Sequence, residues 1–330
     1  MKLQELGEFG LIGRIAERVT GGAGVRIGIG DDAAATEPTA GSLALVTSDM
    51  LVEGIHFDLS LCDPVTLGRK SLSVNLSDIA AMGGRPRHFL LSLAIPKTLP
   101  VEFLDAFIEG LLERAGQFRV ALIGGDTCSS KGGLVISITV MGEQSPELVV
   151  RRSGAKPGDL ICVTGTLGDS ALGLLLLQRG EKAGPAVERH LDPVPRVLEG
   201  AALAEAGIPA AMIDISDGLL ADLAHILDQS GVGARLELDK IPLSDYFRGK
   251  CPLITDDPYA VSLAGGEDYE LLFTAPPARL EKARAILAKS GTQLSVIGEI
   301  TGAGRLLVIS ADGSEYRTVN RGYNHFASNP

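Results

Sequence analysis

Acidic side chains recur in short segments rich in glycine, serine or threonine, rather than on predicted helix faces. Six segments share this pattern: Gly30-Asp31-Asp32, Thr47-Ser48-Asp49, Asn75-Leu76-Ser77-Asp78, Gly124-Gly125-Asp126-Thr127, Asp214-Ile215-Ser216-Asp217 and Gly265-Gly266-Glu267-Asp268. Small residues let the backbone approach a ligand closely. Carboxylate oxygens suit Mg²⁺, which also takes water and phosphate oxygens. One such segment is an ordinary turn in many proteins, but six in one chain indicate a phosphate site that holds several metal ions.

The candidate metal ligands are the carboxylates of these segments and the oxygens beside them. They are Asp32, Thr47, Ser48, Asp49, Asp78, Asp126 and Asp214, with Asp217 as the candidate for a peripheral ion. Metal ions that bridge phosphate oxygens supply most of what phosphoryl transfer needs, namely positioning and charge neutralisation. Two of the ligands have a second interpretation. Asp217 also fits the N-cap of a helix from Gly218, and Asp78 also fits a solvated helix position.

Two basic side chains have both a ligand-binding and a structural interpretation. Arg152 lies in a polar segment, and arginine suits bidentate contacts with phosphate, although exposed arginines also serve solubility. His56 stands beside apolar residues, which fits a packed or capping histidine as well as a ligand contact. No HExxH motif, Ser-His-Asp order or Cys-His pair stands out, so a hydrolytic protein nucleophile has little support.

The composition predicts a soluble, cytoplasmic protein of two domains. The 330 residues exceed the usual size of one domain, and 45% are hydrophobic although only 4% are aromatic. The net charge of −11 and the lack of a Lys/Arg block argue against nucleic-acid binding. Neither a signal-peptide pattern nor an apolar run of membrane-spanning length is present. The four cysteines have no CxxC spacing, which predicts buried or inert thiols in a reducing compartment.

Apolar spacing predicts helices and strands in both halves, and therefore an α/β or α+β fold. The predicted helices are 7–19, 64–82, 101–118, 169–178, 194–206, 218–229 and 278–289. The predicted strands are 43–47, 89–95, 120–123, 134–141, 160–164, 211–214, 269–274, 294–297 and 306–309. A polar, turn-rich segment at 151–159 predicts the boundary between domains 1–150 and 151–330. Asp49 and Asp126 are predicted to lie just beyond the ends of apolar strands.

Two nucleotide-binding motifs are rejected on physical grounds. Gly28-Ile29-Gly30-Asp31-Asp32-Ala33 matches the GxGxxA pattern of dinucleotide-binding folds. That pattern needs a helix after the glycines, and here the following segment is short and carries Pro38 and Gly41. Asp31 and Asp32 would also stand where the pyrophosphate binds. The P-loop pattern GxxxxGK[ST] is absent, so we expect any nucleotide to bind without that cradle.

Over nearly its whole length the sequence resembles the thiamine-monophosphate kinase family, within the superfamily of aminoimidazole-ribonucleotide-synthetase-like (PurM-like) proteins. The carriers are Gly7-Glu8-Phe9, Gly28 to Ala33, Ser48-Asp49, His56-Phe57, Asn75 to Gly83, Ile123 to Thr127, Arg152 to Asp159, Thr164-Gly165-Thr166, Asp214 to Leu219, Gly265 to Leu271 and Gly322 to Phe326. The family often has Asp where this chain has Asn324. The order and number of these motifs make the resemblance specific.

The resemblance implies two PurM-like α/β domains, with the N-terminal mixed sheets of two subunits forming a barrel-like core of a homodimer. It implies transfer of phosphate from ATP to thiamine monophosphate, with several Mg²⁺ ions. By motif, the ligands of those ions would be the eight candidates given above. ATP would contact Gly125, Asp126, Arg152 and Ser216, and the acceptor would contact His56, Glu267 and Tyr323.

Related enzymes and a non-catalytic role are the alternatives. Selenophosphate synthetase would need a reactive residue near the N-terminus, whereas the first cysteine here is Cys62. The hydrogenase-maturation relative would need a C-terminal cysteine, and this chain ends Ser328-Asn329-Pro330. The motifs GGEDYEL and GYNHF point away from aminoimidazole ribonucleotide synthetase. A nucleotide or metal sensor without turnover stays open at this point.

Overall fold

The structure, a computed structural model, describes residues 3–19, 21–302, 304–318 and 322–323. The chain divides into two compact units. Unit 1 comprises Met1–Ile79 and Gly84–Glu147, and unit 2 comprises Ala80–Gly83 and Leu148–Pro330. No helix in the described part of the chain is long and apolar enough to cross a membrane.

Unit 1 is built around a four-stranded mixed sheet. Its elements are α1 (Leu3–Ala16), β1 (Val25–Ile27), β2 (Ala35–Thr36), β3 (Leu43–Val52), α2 (Pro64–Ala81, whose last two residues belong to unit 2), β4 (Arg85–Pro96), α3 (Val101–Phe118), β5 (Ala121–Ser130) and β6 (Val135–Gln144). The strand order is β3-β6-β4-β5, and β4 with β5 is the parallel pair. Strands β1 and β2 form a separate pair.

The two faces of the unit 1 sheet differ in burial. On β6, Ile136, Ile138 and Val140 are fully buried on the side that α2 covers, which we name the helix face. Successive side chains of a strand point to opposite faces. On the other side, the open face, Val46 is 65% exposed and Met50 is 58% exposed. Unit 1 therefore has one packed face and one face with exposed apolar side chains.

Unit 2 contains a six-stranded sheet and seven helices within its described residues. The elements are β7 (Leu160–Thr164), α4 (Asp169–Gln178), α5 (Pro185–Leu191), α6 (Val197–Glu205), β8 (Ala211–Asp214), α7 (Leu219–Ser230), β9 (Gly233–Glu237), α8 (Asp245–Lys250), α9 (Pro258–Ala264), β10 (Leu271–Ala275), α10 (Leu280–Leu287), β11 (Leu294–Thr301) and β12 (Leu306–Ile309). The order is β12-β9-β11-β7-β10-β8, antiparallel except for β12 with β9. Ile213, Leu223 and Leu272 lie in its buried core.

The mixed α/β class is confirmed, and several elements have the predicted bounds. Two predictions about the acidic segments are wrong in detail. Asp49 lies inside β3 and Asp126 lies inside β5, not beyond their ends. The strands continue because ladder hydrogen bonds use the backbone, which a polar side chain does not interrupt. The predicted helix 194–206 begins only at Val197, because prolines at 193 and 195 lack the N–H that a helix interior needs.

The rejection of the dinucleotide-binding motif is also confirmed. The residues after Gly28 and Gly30 enter β2 and then β3, and the next helix is α2. The glycine-rich segment therefore does not present a helix N-terminus to a pyrophosphate.

Helices α2 and α3 approach closely through glycines. A Cβ atom at Gly110 would lie 1.9 Å from the carbonyl oxygen of Val65, and one at Gly68 would lie 2.1 Å from that of Phe107. Both distances are far shorter than van der Waals contact, and both partners are backbone atoms that cannot rotate away. The helix pair behind the sheet therefore depends on the missing side chains.

We expect Gly110→Ala to lower the free energy of unfolding by about 1–3 kcal/mol, the usual effect of overpacking. Gly116→Ala is the matched control in the same helix, because a Cβ at Gly116 meets nothing within 4 Å. That control should keep or slightly raise stability, since alanine favours helix over glycine. Urea unfolding of the three proteins measures the difference. Equal midpoints for Gly110→Ala and Gly116→Ala would contradict the close helix contact.

Candidate active site

In unit 1, β3 and α2 bring three of the predicted metal ligands together on the helix face. The Thr47 hydroxyl donates a hydrogen bond to Asp78 Oδ2 at 2.5 Å. The backbone N–H of Asp49 donates to Asn75 Oδ1 at 3.0 Å, which fixes β3 against α2. Asp78 is half-buried and bonded to Thr47, so its interpretation as a solvated helix residue is wrong.

The carboxylates of Asp49 and Asp78 are close enough to oppose each other's ionisation. Burial, with a smaller contribution from the charge of Asp78, raises the pKa of Asp49 to about 7. Two crowded carboxylates ionise together readily only when a cation offsets their charge; otherwise one of them keeps its proton. Together with Thr47 they offer hard oxygen donors of the kind that Mg²⁺ takes. The donor set therefore fits a hard divalent cation.

Ser48 and Asp126 lie apart from that group. Ser48 follows Thr47 in β3 and so points to the open face, where its Oγ is 2.9 Å from Thr139 Oγ1. Asp49 and Gly125 are in one row across the sheet, three strand spacings apart, or about 14 Å. Asp126 is exposed. The sheet thus separates Asp126 from Asp49 within one chain.

Gly125 has a structural reason to be glycine. A Cβ there would lie 1.8 Å from the Leu91 carbonyl oxygen in the neighbouring strand β4. The backbone of β5 therefore needs glycine at this position whether or not a nucleotide binds.

Three further predicted residues are placed at the surface or in a turn. Asp32 is exposed between β1 and β2, and Arg152 is exposed just before β7. His56 is half-buried in the turn after β3, where its Nδ1 accepts a hydrogen bond from the Val52 N–H at 3.1 Å. This contact agrees with the capping interpretation of His56. It also leaves the ring proton on Nε2 when the imidazole is neutral.

In unit 2, the loop from Asp214 to Gly218 joins β8 to α7 and carries three predicted site residues. Asp214 is buried at the end of β8, while Ser216 and Asp217 are half-buried. Asp217 is not the N-cap of α7, because the helix begins at Leu219 with Gly218 at the cap position. The cap is glycine, so it has no side chain with which to bond the neighbouring amides.

Asp222, which the sequence analysis missed, takes over that role. Its Oδ2 accepts hydrogen bonds from the N–H groups of Ser216, Asp217 and Gly218, each at 3.1 Å. Asp222 is only 2% exposed. Burial, followed by the charges of Asp214 and Asp217, raises the pKa of Asp222 to about 8, although its backbone hydrogen bonds oppose the shift.

The carbonyl groups of the same loop hold the predicted acceptor-binding residues. Ser216 O accepts from the Glu267 N–H at 2.8 Å, and Asp217 O accepts from the Tyr323 N–H at 3.0 Å. Glu267 has a positive φ of 66°, uncommon for a residue with a side chain. Such a conformation persists where surrounding contacts impose it. The remainder of the predicted terminal motif, 324–326, lies outside the described residues.

The Glu267 side chain is oriented by His190, a residue that no sequence motif singled out. His190 Nδ1 lies 3.2 Å from Glu267 Oε2 and 3.1 Å from Ser170 Oγ. Asp268 and Glu270 anchor the same segment from within the core. Asp268 accepts from the Gly168 N–H at 2.8 Å, and fully buried Glu270 accepts from Arg196 Nε at 2.6 Å.

The pKa values of the two anchoring side chains, Asp268 and Glu270, shift in opposite directions. Burial raises the pKa of Asp268 to about 7. For Glu270, burial acts in the same direction, but hydrogen bonds and charges from Arg196 and Arg189 outweigh it and lower the pKa. Glu270 is therefore the charged anchor, held in an ion pair with two arginines.

Across the residues that the structure describes, no three His, Cys, Asp or Glu side chains are grouped closely enough to hold a metal ion by themselves. The predicted metal ligands belong to the Asp49–Asp78 group of unit 1, to the Asp214–Asp217 loop of unit 2 and to exposed positions. The four cysteines are free; Cys162 and Cys251 are buried, Cys62 is half-buried and Cys128 is exposed. The prediction of buried thiols therefore holds for two of them, and whether exposed Cys128 is inert stays a prediction.

Comparison with known proteins identifies the family. The family models for AIR synthase related protein match this chain with the N-terminal domain at residues 30–144 and the C-terminal domain at 156–310. Thiamine-monophosphate kinase from Salmonella typhimurium is 39% identical over 331 residues, covering 98% of this chain and 99% of that protein. This chain is a member of the thiamine-monophosphate kinase family.

Solved structures agree with that membership. The crystal structure of thiamine-monophosphate kinase from Stenotrophomonas maltophilia K279a is 38% identical, with a TM-score of 0.84, and the match covers 94% of this chain and 98% of that one. The structure of AaThiL complexed with AMPPCP and TMP is 33% identical, with a TM-score of 0.77, and the match covers 99% of each chain. The family that the sequence resembled is thus confirmed.

The raised pKa of Asp49 predicts a pH-dependent gain in stability from Asp49→Asn. Folding raises the pKa from 3.8 to about 7, so the ionisable Asp49 costs the folded state stability as pH rises from 3.8 to about 7, and the full loss is present above that pH. Below pH 4 the carboxyl is protonated in both states and the difference disappears. In chelator at pH 8, Asp49→Asn should therefore melt about 3 °C or more above wild type, and the gain should shrink at pH 5. The control is Asp228→Asn, which replaces an exposed carboxylate. Equal melting temperatures of all three proteins at pH 8 would refute the crowding of Asp49 with Asp78.

Proposed function

We propose that this chain transfers the γ-phosphoryl group of ATP to thiamine monophosphate, giving ADP and thiamine diphosphate. The observation that carries the proposal is the similarity over 99% of the chain to a structure complexed with AMPPCP and TMP. The 39% identity to a full-length thiamine-monophosphate kinase supports the same activity. A coupled assay for ADP, run with thiamine monophosphate, thiamine and aminoimidazole precursors as acceptors, tests it.

The transfer is proposed to be direct and in line. A terminal oxygen of the acceptor phosphate attacks the γ-phosphorus, and the bond to the oxygen that bridges the β- and γ-phosphates breaks as ADP leaves. The second pKa of a phosphate monoester is about 6, so the acceptor is already ionised at neutral pH. No side chain of this protein then has to remove a proton from the nucleophile.

The obstacle is repulsion between the two anionic substrates. Mg²⁺ ions, when bound, would neutralise the phosphate charges and align the two groups. The proposed ligands remain Asp32, Thr47, Ser48, Asp49, Asp78, Asp126, Asp214 and Asp217. Support comes from the crowding of Asp49 with Asp78, and of Asp214 and Asp217 with Asp222, since ionised carboxylates in such groups need a cation nearby.

The other predicted site residues are proposed to contact one of the two substrates. Gly125, Asp126, Arg152 and Ser216 are proposed to contact ATP, and His56, Glu267 and Tyr323 to contact the thiamine part of the acceptor. Support for a joint role of three of them is their shared loop, because Glu267 and Tyr323 each donate a backbone N–H to the segment that contains Ser216.

We also propose that domain 1–150 binds metal ions and forms a homodimer, while 151–330 is the second PurM-like domain. The exposed apolar side chains Val46 and Met50 on the open face support a sheet-to-sheet dimer, because large exposed apolar patches mark interaction surfaces. The cytoplasmic location predicted from composition stays a prediction.

We expect the enzyme to accept a substrate with a phosphate group and to discriminate against one with only a hydroxyl group. Thiamine monophosphate should be phosphorylated, while thiamine should react at least about 100-fold more slowly, because a hydroxyl needs a general base. Comparable initial rates with the two acceptors would contradict the proposed chemistry. Adenosine triphosphate without acceptor is the blank that corrects for hydrolysis.

No phosphoenzyme should form. The candidate aspartates are proposed to hold metal ions, and a covalent route would need one of them, or a serine or histidine, as the nucleophile. Incubation with γ-labelled ATP and Mg²⁺, without acceptor, should leave no label on the denatured chain. Initial rates at varied ATP and acceptor should give intersecting double-reciprocal lines. Stoichiometric labelling or parallel lines would overturn direct transfer.

A further inference from the structure

The backbone of the β8–α7 loop is fully engaged by hydrogen bonds of two kinds. On the donor side, the N–H groups of Ser216, Asp217 and Gly218 all point to Asp222 Oδ2. On the acceptor side, Ser216 O binds the Glu267 N–H and Asp217 O binds the Tyr323 N–H. A single buried carboxylate therefore holds the segment that in turn holds two other segments.

The neighbouring residues leave this arrangement little freedom. A Cβ at Gly266 would lie 2.4 Å from Ser216 O, and one at Gly322 would lie 2.5 Å from the Ala221 Cβ. Both segments therefore pass directly over the loop and its helix, in contact distance. A shift of the loop by even an ångström would displace the residues on either side of it.

Asp222 is the acceptor that the structure provides for the three loop amides. The cap residue Gly218 has no side chain to accept their hydrogen bonds, and buried amides without a partner are costly. Asp222 stands one turn into α7, on the same side as Leu219, Leu223 and Ile226, and only 2% of it is exposed. Its place among apolar residues indicates that the carboxylate is directed at the loop and not at solvent.

We propose that Asp222 is a positioning residue for both substrates of the reaction. It fixes Asp214, Ser216 and Asp217 on the nucleotide side of the loop, and Glu267 and Tyr323 on the acceptor side. It touches neither substrate. This inference rests on the proposed function for the identity of the substrates, but the hydrogen-bond arrangement itself does not depend on it.

The consequence is a paired loss of affinity. A change that affects only Glu267, such as loss of its His190 contact, weakens only the binding of thiamine monophosphate. Loss of the Asp222 acceptor oxygen releases the whole loop, so the KM values for ATP and for thiamine monophosphate rise together. This pattern distinguishes a positioning residue of the shared loop from a residue of one binding site.

The test uses two substitutions of nearly equal size in the full chain. Asp222→Asn keeps an oxygen that can accept the three amide hydrogen bonds, whereas Asp222→Leu has no acceptor. Asp222→Leu should raise both KM values about tenfold or more, and Asp222→Asn should keep both within about threefold of wild type. Asp228→Asn, an exposed carboxylate of the same helix, should change neither. His190→Gln should raise only the KM for thiamine monophosphate.

Hydrogen exchange read by mass spectrometry supplies a readout independent of turnover. In Asp222→Leu, peptides that cover 214–218, 265–270 and 322–323 should exchange faster than in wild type, while Asp222→Asn and Asp228→Asn should match wild type. Equal behaviour of Asp222→Leu and Asp222→Asn, or a change in only one KM, would overturn the inference. If Asp222→Leu does not fold, wild-type exchange decides, because rapid exchange at the amides of 216, 217 and 218 would also overturn it.

Failure of the proposed function can be distinguished from failure of the positioning role of Asp222. If wild type phosphorylates no thiamine monophosphate, the activity is wrong, and titration calorimetry with AMPPCP plus Mg²⁺ and with thiamine monophosphate replaces the kinetics. Weaker binding of both by Asp222→Leu but not by Asp222→Asn upholds the positioning role. If Asp222→Leu binds either AMPPCP or thiamine monophosphate as tightly as wild type does, the positioning role of Asp222 is overturned.

Discussion

Crowded carboxylates are the physical constraint that the rest of this molecule accommodates. Asp49 and Asp78 oppose each other's ionisation in unit 1, and Asp222 stands near Asp214 and Asp217 in unit 2. Folding brings these like charges together and also removes them partly from water, and both effects disfavour the ionised state. A proton or a cation at these groups removes part of that cost, so the fold favours positive charge at both places.

Hydrogen bonds from the backbone and from neutral side chains help to hold the structure around these groups. Asn75 fixes β3 on α2, and Asp222 collects three amides of the β8–α7 loop. Since those amides are already bonded, the loop does not offer them to a phosphate in the way that a helix N-terminus does. Buried Glu270, by contrast, is held by a basic side chain, that of Arg196.

Long apolar patterns predicted the elements well, and α3, α4, β7, β8 and β12 have the expected bounds. Short or weakly apolar elements such as β9 were missed because tertiary pairing, not pattern, defines them. In the site, Thr47 and Asp78 could be singled out by type, but their contact needed the pairing of β3 with α2. Asp222 carried a usable signal, because an acidic residue interrupts the apolar face of Leu219, Leu223 and Ile226. His190 carried none.

The location of Thr47, Ser48 and Asp49 inside a strand limits how this sequence can change in length. β3 pairs with β6 at every position from Leu43 to Val52. Deleting one residue near the start of β3 would turn Thr47 and Asp49 to the open face and Ser48 to the helix face. The same deletion in a surface turn would only shorten a connection. Over evolutionary time, insertions and deletions can therefore accumulate in the turns of this chain, while β3 can vary only by substitution.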